Sequence, residues 1–321
     1  MEFVILTGFA GFIGSQLLRD LLSKEYFVIG IDNMSEGSNK NNFSDLNVYN
    51  FFPIFADISD PNLKKYIESF VNIGSSDCYI INCAAQSHVD RSFEQYDKFI
   101  KSNISGPINL AKMGLELKVK KFIQVSTDEV FADSKQPFTE ESLITPQNAY
   151  SSSKAAAEMF LKNYERAFGL PLIITNGANT YGERQLEEKI IPLSIYKVIN
   201  DLKIPLYRTP AKRMWLHVKD HSSGIISAME NGKVGERYCL APNVENEFVT
   251  GDLVKMICDL LGKKFEDVVD YVPDRPNYDL RYYMKNDKAK KELNWHPRKN
   301  IIEELKDIVS WYVDKFELEK K

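Results

Sequence analysis

The N-terminal stretch constrains the fold of this chain more than any other. An apolar run, Phe3 to Thr7, leads into Gly8-Phe9-Ala10-Gly11-Phe12-Ile13-Gly14, and a helical pattern follows from Ser15 to Leu22. Glycines between a strand and a helix allow a tight turn, close approach of the backbone to a pyrophosphate, and close packing of the helix on the sheet. The order strand, glycine turn, helix therefore predicts a dinucleotide-binding unit with G-x-x-G-x-x-G spacing.

A carboxylate follows at the position that such a unit needs. The second apolar run, Tyr26 to Ile31, ends at Asp32, close to the separation of about 20 residues expected for an acid that bonds the ribose 2′-hydroxyl. Its charge would repel a 2′-phosphate, so the sequence favours NAD over NADP. We expect Asn33, the next residue, to contact the cofactor as well.

Strand-like and helical runs alternate along the first half of the chain. This order predicts an α/β fold with a doubly wound parallel sheet, in which ligands lie at the carboxyl ends of the strands. Asp57-Ile58 follow one such strand, at a position that suits contact with the adenine edge of the cofactor. Cys83-Ala84-Ala85 end another strand. The alanines would let the backbone meet the cofactor, with simple packing as an equal alternative. Pro107 fits the first turn of a helix preceded by a loop, residues 103–106.

Two groups of residues carry candidate chemistry. Tyr150 and Lys154 share one face of a predicted helix, where an ammonium close to the phenol would lower its pKa and allow proton exchange at a carbinol carbon. Alone, the pair is more often an exposed lysine with a half-buried tyrosine. Ser126-Thr127-Asp128-Glu129 follow a strand. Adjacent carboxylates in a closed cleft can take different pKa values, so that one acts as an acid and the other as a base. The alternative is a solvated loop or a turn cap at Asp128.

Taken together, these segments resemble the extended short-chain dehydrogenase/reductase family and, within it, the nucleotide-sugar 4,6-dehydratases. The resemblance covers nearly the whole chain. It rests on Gly8 to Ser15, Ala84 to Ser92, Ser126 to Val130, Tyr150 to Lys154, Asn179-Thr180-Tyr181-Gly182, Glu187 to Pro192, Arg213-Met214-Trp215-Leu216, and Asp274-Arg275-Pro276 with Arg281-Tyr282. The chain departs from the family pattern at Gln86 for Glu, Phe131 for Tyr, Thr180 for Asn, Met214 for Asp, and Asn277-Tyr278 for Gly-His.

The resemblance implies a reaction. Tyr150, with Lys154 and the hydroxyl of Thr127, would take the proton of the sugar C4 hydroxyl while hydride passes to NAD. Glu129 would then remove the C5 proton, and a protonated Asp128 would give a proton to the departing C6 hydroxyl. Hydride returns to C6, so NAD stays bound and is regenerated.

The resemblance also implies the division of the chain and its contacts. Residues 1–182 would bind NAD and carry the catalytic groups. Residues 183–321 would mainly form a smaller mixed α/β lobe for dTDP-glucose or UDP-glucose, with some return to the first domain. The expected cofactor contacts are Gly8, Gly11, Phe12, Ile13, Gly14, Asp32, Asn33, Asp57, Ile58, Cys83, Ala84, Ala85, Ser102, Tyr150 and Lys154. The expected substrate contacts are Ser87, Thr127, Asn179, Lys189, Ile190, Arg213, Asn243, Arg275 and Tyr278, of which the three basic residues would pair with the diphosphate.

Composition excludes several classes. The chain has 321 residues, net charge −4, four cysteines without zinc spacing and four scattered histidines, so we expect no metal site and no nucleic-acid partner. With no signal-peptide pattern and no apolar run of about 20 residues, we expect a cytoplasmic protein without a membrane partner. A homodimer is the family expectation. A 4-epimerase or decarboxylase would share the redox residues but has no need of Asp128-Glu129, and a non-catalytic NAD-binding scaffold is a remote alternative.

Overall fold

A computed structural model describes residues 2–46, 48–70, 77–131, 133 and 136–319. Its strands are β1 Phe3–Thr7, β2 Phe27–Asp32, β3 Phe51–Phe55, β4 Cys78–Asn82, β5 Lys121–Thr127, β6 Leu172–Gly177, β7 Asn179–Tyr181, β8 Ile204–Tyr207, β9 Lys212–His217, β10 Arg237–Leu240, β11 Glu247–Val249 and β12 Val269–Val272. Its α-helices are α1 Phe12–Ser23, α2 Leu63–Glu68, α3 Val89–Glu94, α4 Tyr96–Ile100, α5 Gly106–Glu116, α6 Ala149–Phe168, α7 Ile190–Ile199, α8 Val218–Asn231, α9 Thr250–Leu260, α10 Phe265–Val268, α11 Asp287–Leu293 and α12 Ile301–Leu318.

Seven parallel strands form the main sheet, in the order β10-β6-β5-β4-β1-β2-β3. The chain winds outward from β1 through β2 to β3, then returns to the other side of β1 with β4. This reversal leaves a crevice at the carboxyl ends of β1 and β4, where ligands of open α/β sheets bind. The doubly wound sheet predicted from the sequence is confirmed.

Helices cover both faces of this sheet, which is why its strands read as continuous apolar runs. All five residues of β1 are buried. One face packs against α1 and α8 through residues such as Leu17 and Ile225. The other face packs against α2 and α5 through residues such as Ile67 and Leu110.

A smaller layer is built from the later part of the chain. It contains a three-stranded sheet, β11-β9-β7, and a two-stranded sheet, β12-β8. Helices α7, α9 and α12 enclose a separate core that includes Tyr181, Trp215 and Leu253. Between these elements, α8 and β10 return to the main sheet, where β10 pairs with β6 at the edge.

Two local predictions need correction. Helix α1 begins at Phe12 rather than Ser15, because the last glycine of the turn already lies in the helix. Residues 103–106 are not a loop: a π-helical segment, Lys101–Ser105, joins α4 to α5. The side chain of Asn103 is buried there, donating to Gln86 O and to Ser153 Oγ at 2.9 and 2.8 Å, and these contacts are compatible with a helix. Pro107 does lie in the first turn of α5.

Candidate active site

A cleft opens at the carboxyl ends of the main sheet. All of the predicted cofactor contacts line it, from Gly8 at the glycine turn to Lys154 on α6. The cleft wall also includes residues for which no contact was predicted: Ile31, Ser35, Glu36, Gly37, Ser38, Ala56, Gln86, Arg91, Val125, Ser126, Gln185 and Leu186. Four of them, Ile31, Ala56, Gln86 and Ser126, are next to a predicted residue, whereas Gln185 and Leu186 come from the smaller layer and carry no motif that would have marked them.

The glycine turn fits a dinucleotide. Gly8 has φ +73°, and a Cβ there would lie 2.8 Å from the backbone nitrogen of Ala84. A Cβ on Gly14 would lie 1.9 Å from the carbonyl oxygen of Gly8. Side chains at these two positions would collide with the backbone and displace the turn. Glycine at both positions therefore keeps the turn closely packed and leaves its backbone open to a pyrophosphate.

Asp32 is held rigidly at the end of β2. Its Oδ1 accepts hydrogen bonds from Met34 N at 2.8 Å and from Ser38 Oγ at 2.7 Å. Its Oδ2 accepts from Ala10 N at 3.1 Å, which ties the carboxylate to the glycine turn. The negative charge is therefore fixed beside the cradle, as recognition of a ribose without a 2′-phosphate requires.

Helix α6 presents Tyr150 and Lys154 to the cleft. Asn148 caps this helix through a reciprocal capping box with Ser151, which fixes where the first turn begins. The ammonium of Lys154 is buried and donates to Val125 O at 2.7 Å. Burial lowers the pKa of Lys154 to about 8.

The expected lowering of the Tyr150 pKa is not found. Burial raises the pKa of Tyr150, and the charge of Glu129 raises it further, against a smaller opposing effect of a hydrogen bond with Thr127. The ammonium of Lys154 is engaged by a backbone carbonyl, so the short spacing does not by itself yield a phenolate. In the free protein Tyr150 is a protonated phenol.

Thr127 ends β5 and organises the turn after it. Its hydroxyl donates to Asp128 Oδ1 at 3.2 Å and accepts from Glu129 N at 3.2 Å. The chain then forms a 3-10 turn, Asp128–Phe131, which brings both carboxylates to the end of the strand. Neither the solvated loop nor the simple cap describes Asp128, whose side chain is 2% exposed.

Asp128 and Glu129 lie in different surroundings. Burial raises the pKa of Asp128 to about 7, with a further rise from Glu129, while Arg213 opposes it. One oxygen of Asp128 is buried without a hydrogen-bond partner. Glu129 is half-buried and accepts from Asn148 Nδ2 at 3.2 Å, with the hydroxyl of Tyr282 at 3.5 Å. Near neutral pH, Asp128 can hold a proton that it can donate.

Asn148 and Tyr282 were not predicted as site residues. The signal for Asn148 was its position before a helix, where asparagine is a preferred cap. Tyr282 belonged to a motif that carried the family resemblance, without a role assigned to it.

One of the basic residues predicted for the substrate, Lys189, lines this cleft together with Ser87, and its Nζ donates to Ser87 O at 3.2 Å. Burial lowers the pKa of Lys189. Arg213 is buried, its guanidinium 4.3 Å from the ring centroid of Tyr282 and 5.6 Å from that of Tyr278. Arg275 lies 5.5 Å from the same Tyr278 ring.

The remaining predicted substrate residues are more scattered. Asn179 on β7 has a buried side-chain oxygen without a partner, which leaves it able to accept a hydrogen bond. Ile190 begins α7, directly after Lys189. Asn243 accepts a hydrogen bond from Lys290 Nζ at 3.2 Å and is not part of the cleft wall. Among the residues that the structure describes, no group of histidine, cysteine, aspartate and glutamate side chains could hold a metal ion.

A doubly wound sheet with a glycine cradle, and with a Tyr-x-x-x-Lys pair at the carboxyl ends of its strands, defines an extended short-chain dehydrogenase/reductase. Within that class the chain belongs to the family described as GDP-mannose 4,6 dehydratase, whose model matches residues 5–308.

Individual relatives agree with this assignment. The dTDP-glucose 4,6-dehydratase of Haemophilus influenzae is 34% identical, covering 97% of each chain. The crystal structure of the dTDP-glucose 4,6-dehydratase DesIV from Streptomyces venezuelae, with NAD bound, superposes with a TM-score of 0.91 at 31% identity, covering 98% of this chain and 97% of that one. A UDP-glucose 4-epimerase from Thermotoga maritima is 26% identical, with a TM-score of 0.88, covering 98% of this chain and all of that one.

Proposed function

We propose that this protein is an NAD-dependent dTDP-glucose 4,6-dehydratase that acts in deoxysugar biosynthesis. The observation that carries the proposal is the pair of carboxylates beside Tyr150, one buried with its pKa raised to about 7 and the other half-buried and hydrogen-bonded. Two relatives that are named dTDP-glucose 4,6-dehydratase support it. The cleft residues named above would hold NAD.

The first step is oxidation at C4 of the glucose. NAD, when bound, supplies the hydride acceptor for this step and the hydride donor for the last one. Tyr150 takes the proton of the C4 hydroxyl, and Thr127 orients this sugar hydroxyl. Because the phenol is protonated in the free protein, its base form must arise in the filled cleft, where Lys154 lies one helical turn away.

The second step is elimination of water. A ketone at C4 acidifies the hydrogen on C5, and Glu129 removes it as a proton. Asp128 donates its proton to the C6 hydroxyl, which leaves as water, and the C5–C6 double bond forms. Hydride return to C6 and reprotonation of C5 then give the 4-keto-6-deoxy sugar, so the sugar loses one water and the reaction has no net redox change.

Three basic residues are the candidates for binding the substrate: Arg213, Arg275 and Lys189. A planar guanidinium suits bidentate contact with phosphate oxygens, and Arg213 and Arg275 flank one tyrosine ring near the carboxylates. We infer that they bind the diphosphate with Lys189, and that residues 183–321 mainly provide the sugar-nucleotide lobe, apart from α8 and β10. For Asn243, bonded to Lys290 outside the cleft wall, a nucleotide contact has little support.

The closest alternative activity is 4-epimerisation, as in the relative from Thermotoga maritima. An epimerase oxidises and reduces the same carbon, so it needs neither a base for C5 nor an acid for C6. In an epimerase, Asp128 and Glu129 would have no function at these positions. The dehydratase activity is therefore favoured. UDP-glucose remains the alternative substrate to dTDP-glucose.

We also propose that the protein is a cytoplasmic homodimer. All four cysteines are free, as is typical of proteins kept in a reducing compartment; cell fractionation would test the location. Large apolar side chains are exposed on α4 and on α6, including Ile100, Met159 and Phe160. An exposed apolar surface of this kind suits pairing across a two-fold axis. No helix in the described part of the chain has the length and apolar character to cross a membrane.

Two variants separate the steps of the reaction. Glu129→Gln keeps the residue's volume and removes the C5 base, so C4 oxidation proceeds and reduced cofactor accumulates on the enzyme when sugar nucleotide is added. Tyr150→Phe removes the proton acceptor of the first step, so no reduced cofactor forms. Stopped-flow absorbance of the nicotinamide measures both. Glu141→Gln, an exposed carboxylate on a nearby loop, is the control and should behave as wild type. Near wild-type turnover in Glu129→Gln would remove Glu129 from the base role.

A further inference from the structure

A buried ion pair lies outside the cleft wall, at the edge of the main sheet formed by β6 and β10. Glu158 of α6 accepts from Arg237 NH2 at 2.6 Å through Oε2 and from Asn176 Nδ2 at 3.1 Å through Oε1. Arg237 NH1 also donates to Asn176 Oδ1 at 2.7 Å. The three side chains thus close a ring in which each contacts the other two.

This ring is attached to both catalytic segments. Asn176 Nδ2 also donates to the carbonyl oxygen of Thr127 at 2.8 Å, at the start of the turn that carries the two carboxylates. The guanidinium of Arg237 lies 5.6 Å from the ring centroid of Phe131, the last residue of that turn. Glu158 lies one helical turn beyond Lys154, on the same face of α6 as the redox pair.

Stability alone does not account for such a pair. The side chains of Glu158 and Arg237 are 1% and 12% exposed, and removing two charges from water costs about as much as, or more than, their attraction returns. Apolar residues of similar volume would fill the same space at no electrostatic cost. The charged ring instead fixes relative positions, because a planar guanidinium and an amide hold the groups that they bond in defined directions.

We propose that Glu158, Asn176 and Arg237 form a positioning clamp, which holds the helix with the redox pair in register with the turn that carries the acid and the base. The three residues touch no reacting atom and act through Thr127, Phe131 and α6. The inference rests on the proposed function, since it concerns the relative placement of the residues for two reaction steps that occur in one site.

The clamp matters because the ketone formed at C4 must already lie beside Glu129 and Asp128. If the two segments shift relative to each other, oxidation can proceed while elimination is slowed. Displacement of reacting groups by about 1 Å can cost about 100-fold in rate. Loosening the clamp should therefore slow the second step more than the first.

Three variants test this. Arg237→Lys keeps the charge and loses the forked contact with Glu158 and Asn176. Glu158→Gln with Arg237→Met removes both charges at similar volume, which avoids leaving one buried charge unpaired. Glu236→Gln is the matched control, because it breaks the ion pair with Lys288, at 2.6 Å, next to Arg237 without touching the ring. Each is measured for kcat, for KM, for enzyme-bound reduced cofactor in the steady state, and for thermal unfolding.

We expect kcat to fall about 10- to 100-fold in the two clamp variants, with KM unchanged and with a larger fraction of the enzyme holding reduced cofactor. The control should match wild type. Clamp variants with wild-type kcat, or with lower kcat but no rise in reduced cofactor, would overturn the clamp and leave the proposed function intact. A wild-type protein that forms neither reduced cofactor nor product with sugar nucleotide would overturn the proposed function and the clamp together.

Discussion

At the scale of single residues, Asp128 shows how burial suits a carboxylate to the acid role proposed for it. An exposed aspartate is ionised at neutral pH and cannot donate a proton to a departing hydroxyl. Burial, reinforced by Glu129, raises the pKa of Asp128 to about 7, so that a large fraction carries a proton under those conditions. The same environment makes the ionised form costly, and this cost has a measurable consequence for stability.

The stability of the protein should depend on Asp128 in a defined pH window. In the unfolded chain its proton leaves near pH 3.9, whereas in the folded protein it leaves near 7, so folding stability falls as pH rises through that window by about 1.4 kcal/mol per unit. Asp128→Asn keeps the shape and cannot ionise. We expect it to lose activity and to become more stable than wild type as the pH rises above about 4, with the full gain reached near 7.

Denaturant unfolding of both proteins across this window measures the difference. Subtracting wild type from the variant cancels other titrating groups, such as the buried His217 and His221. A stability difference that does not change with pH would show that Asp128 is not held protonated.

Tyr150 shows what the sequence could not provide. The four-residue spacing correctly placed tyrosine and lysine on one face of α6, but the predicted lowering of the pKa was wrong. The pKa depends on burial and on Glu129, and the lysine is held by Val125 O on a strand. These neighbours come from distant parts of the chain, so local spacing does not reveal them.

At the scale of elements, the glycine turn was the feature most completely predicted from sequence. The strand and the turn form where expected, and the helix follows with only its first residue misplaced, because glycine spacing and apolar periodicity are local. The π-helical segment between α4 and α5 was not predicted, since glycine and proline in succession indicate a break. Its buried Asn103 makes hydrogen bonds to Gln86 and Ser153 that only the folded structure brings within reach.

Gly14→Ala tests the turn. The new Cβ would lie 1.9 Å from Gly8 O, which is backbone and cannot rotate away. We expect weaker NAD binding and a loss of about 1–3 kcal/mol of stability, measured by cofactor titration and by denaturant unfolding. Gly251→Ala in α9 is the control, because its Cβ would make an ordinary 3.6 Å contact with Leu206. It should leave binding unchanged, and equal effects of both variants would contradict the role of the turn.

At the scale of the whole molecule, the parallel sheet followed from the alternation of strands and helices. The resemblance implied some return of the later chain to the first domain but did not indicate that α8 and β10 make it. Short strands at the edge of a sheet lack the long apolar pattern that marks central ones. The same limit applies to the substrate side, where Gln185 and Leu186 reach the cleft from another layer. Motif order could indicate a lobe there but not which residues enter the cleft.

The exposed apolar surface of α4 and α6 makes a prediction at this scale. Light scattering after size exclusion should give the mass of a dimer for the wild type. Met159→Glu with Phe160→Glu should give a monomer, because two buried charges would oppose pairing. Leu143→Glu, at an exposed loop position outside these helices, should remain dimeric. A monomeric wild type would contradict the proposed assembly.

The central claim is that the carboxylate pair turns a transient C4 ketone into a dehydration. The most direct measurement is to incubate the wild-type protein and NAD with dTDP-glucose and to identify the product by nuclear magnetic resonance, with UDP-glucose in parallel. We predict a 4-keto-6-deoxy sugar nucleotide, formed faster from dTDP-glucose, with no net change in the oxidation state of the cofactor. A product epimerised at C4 that retains its C6 hydroxyl would contradict the account.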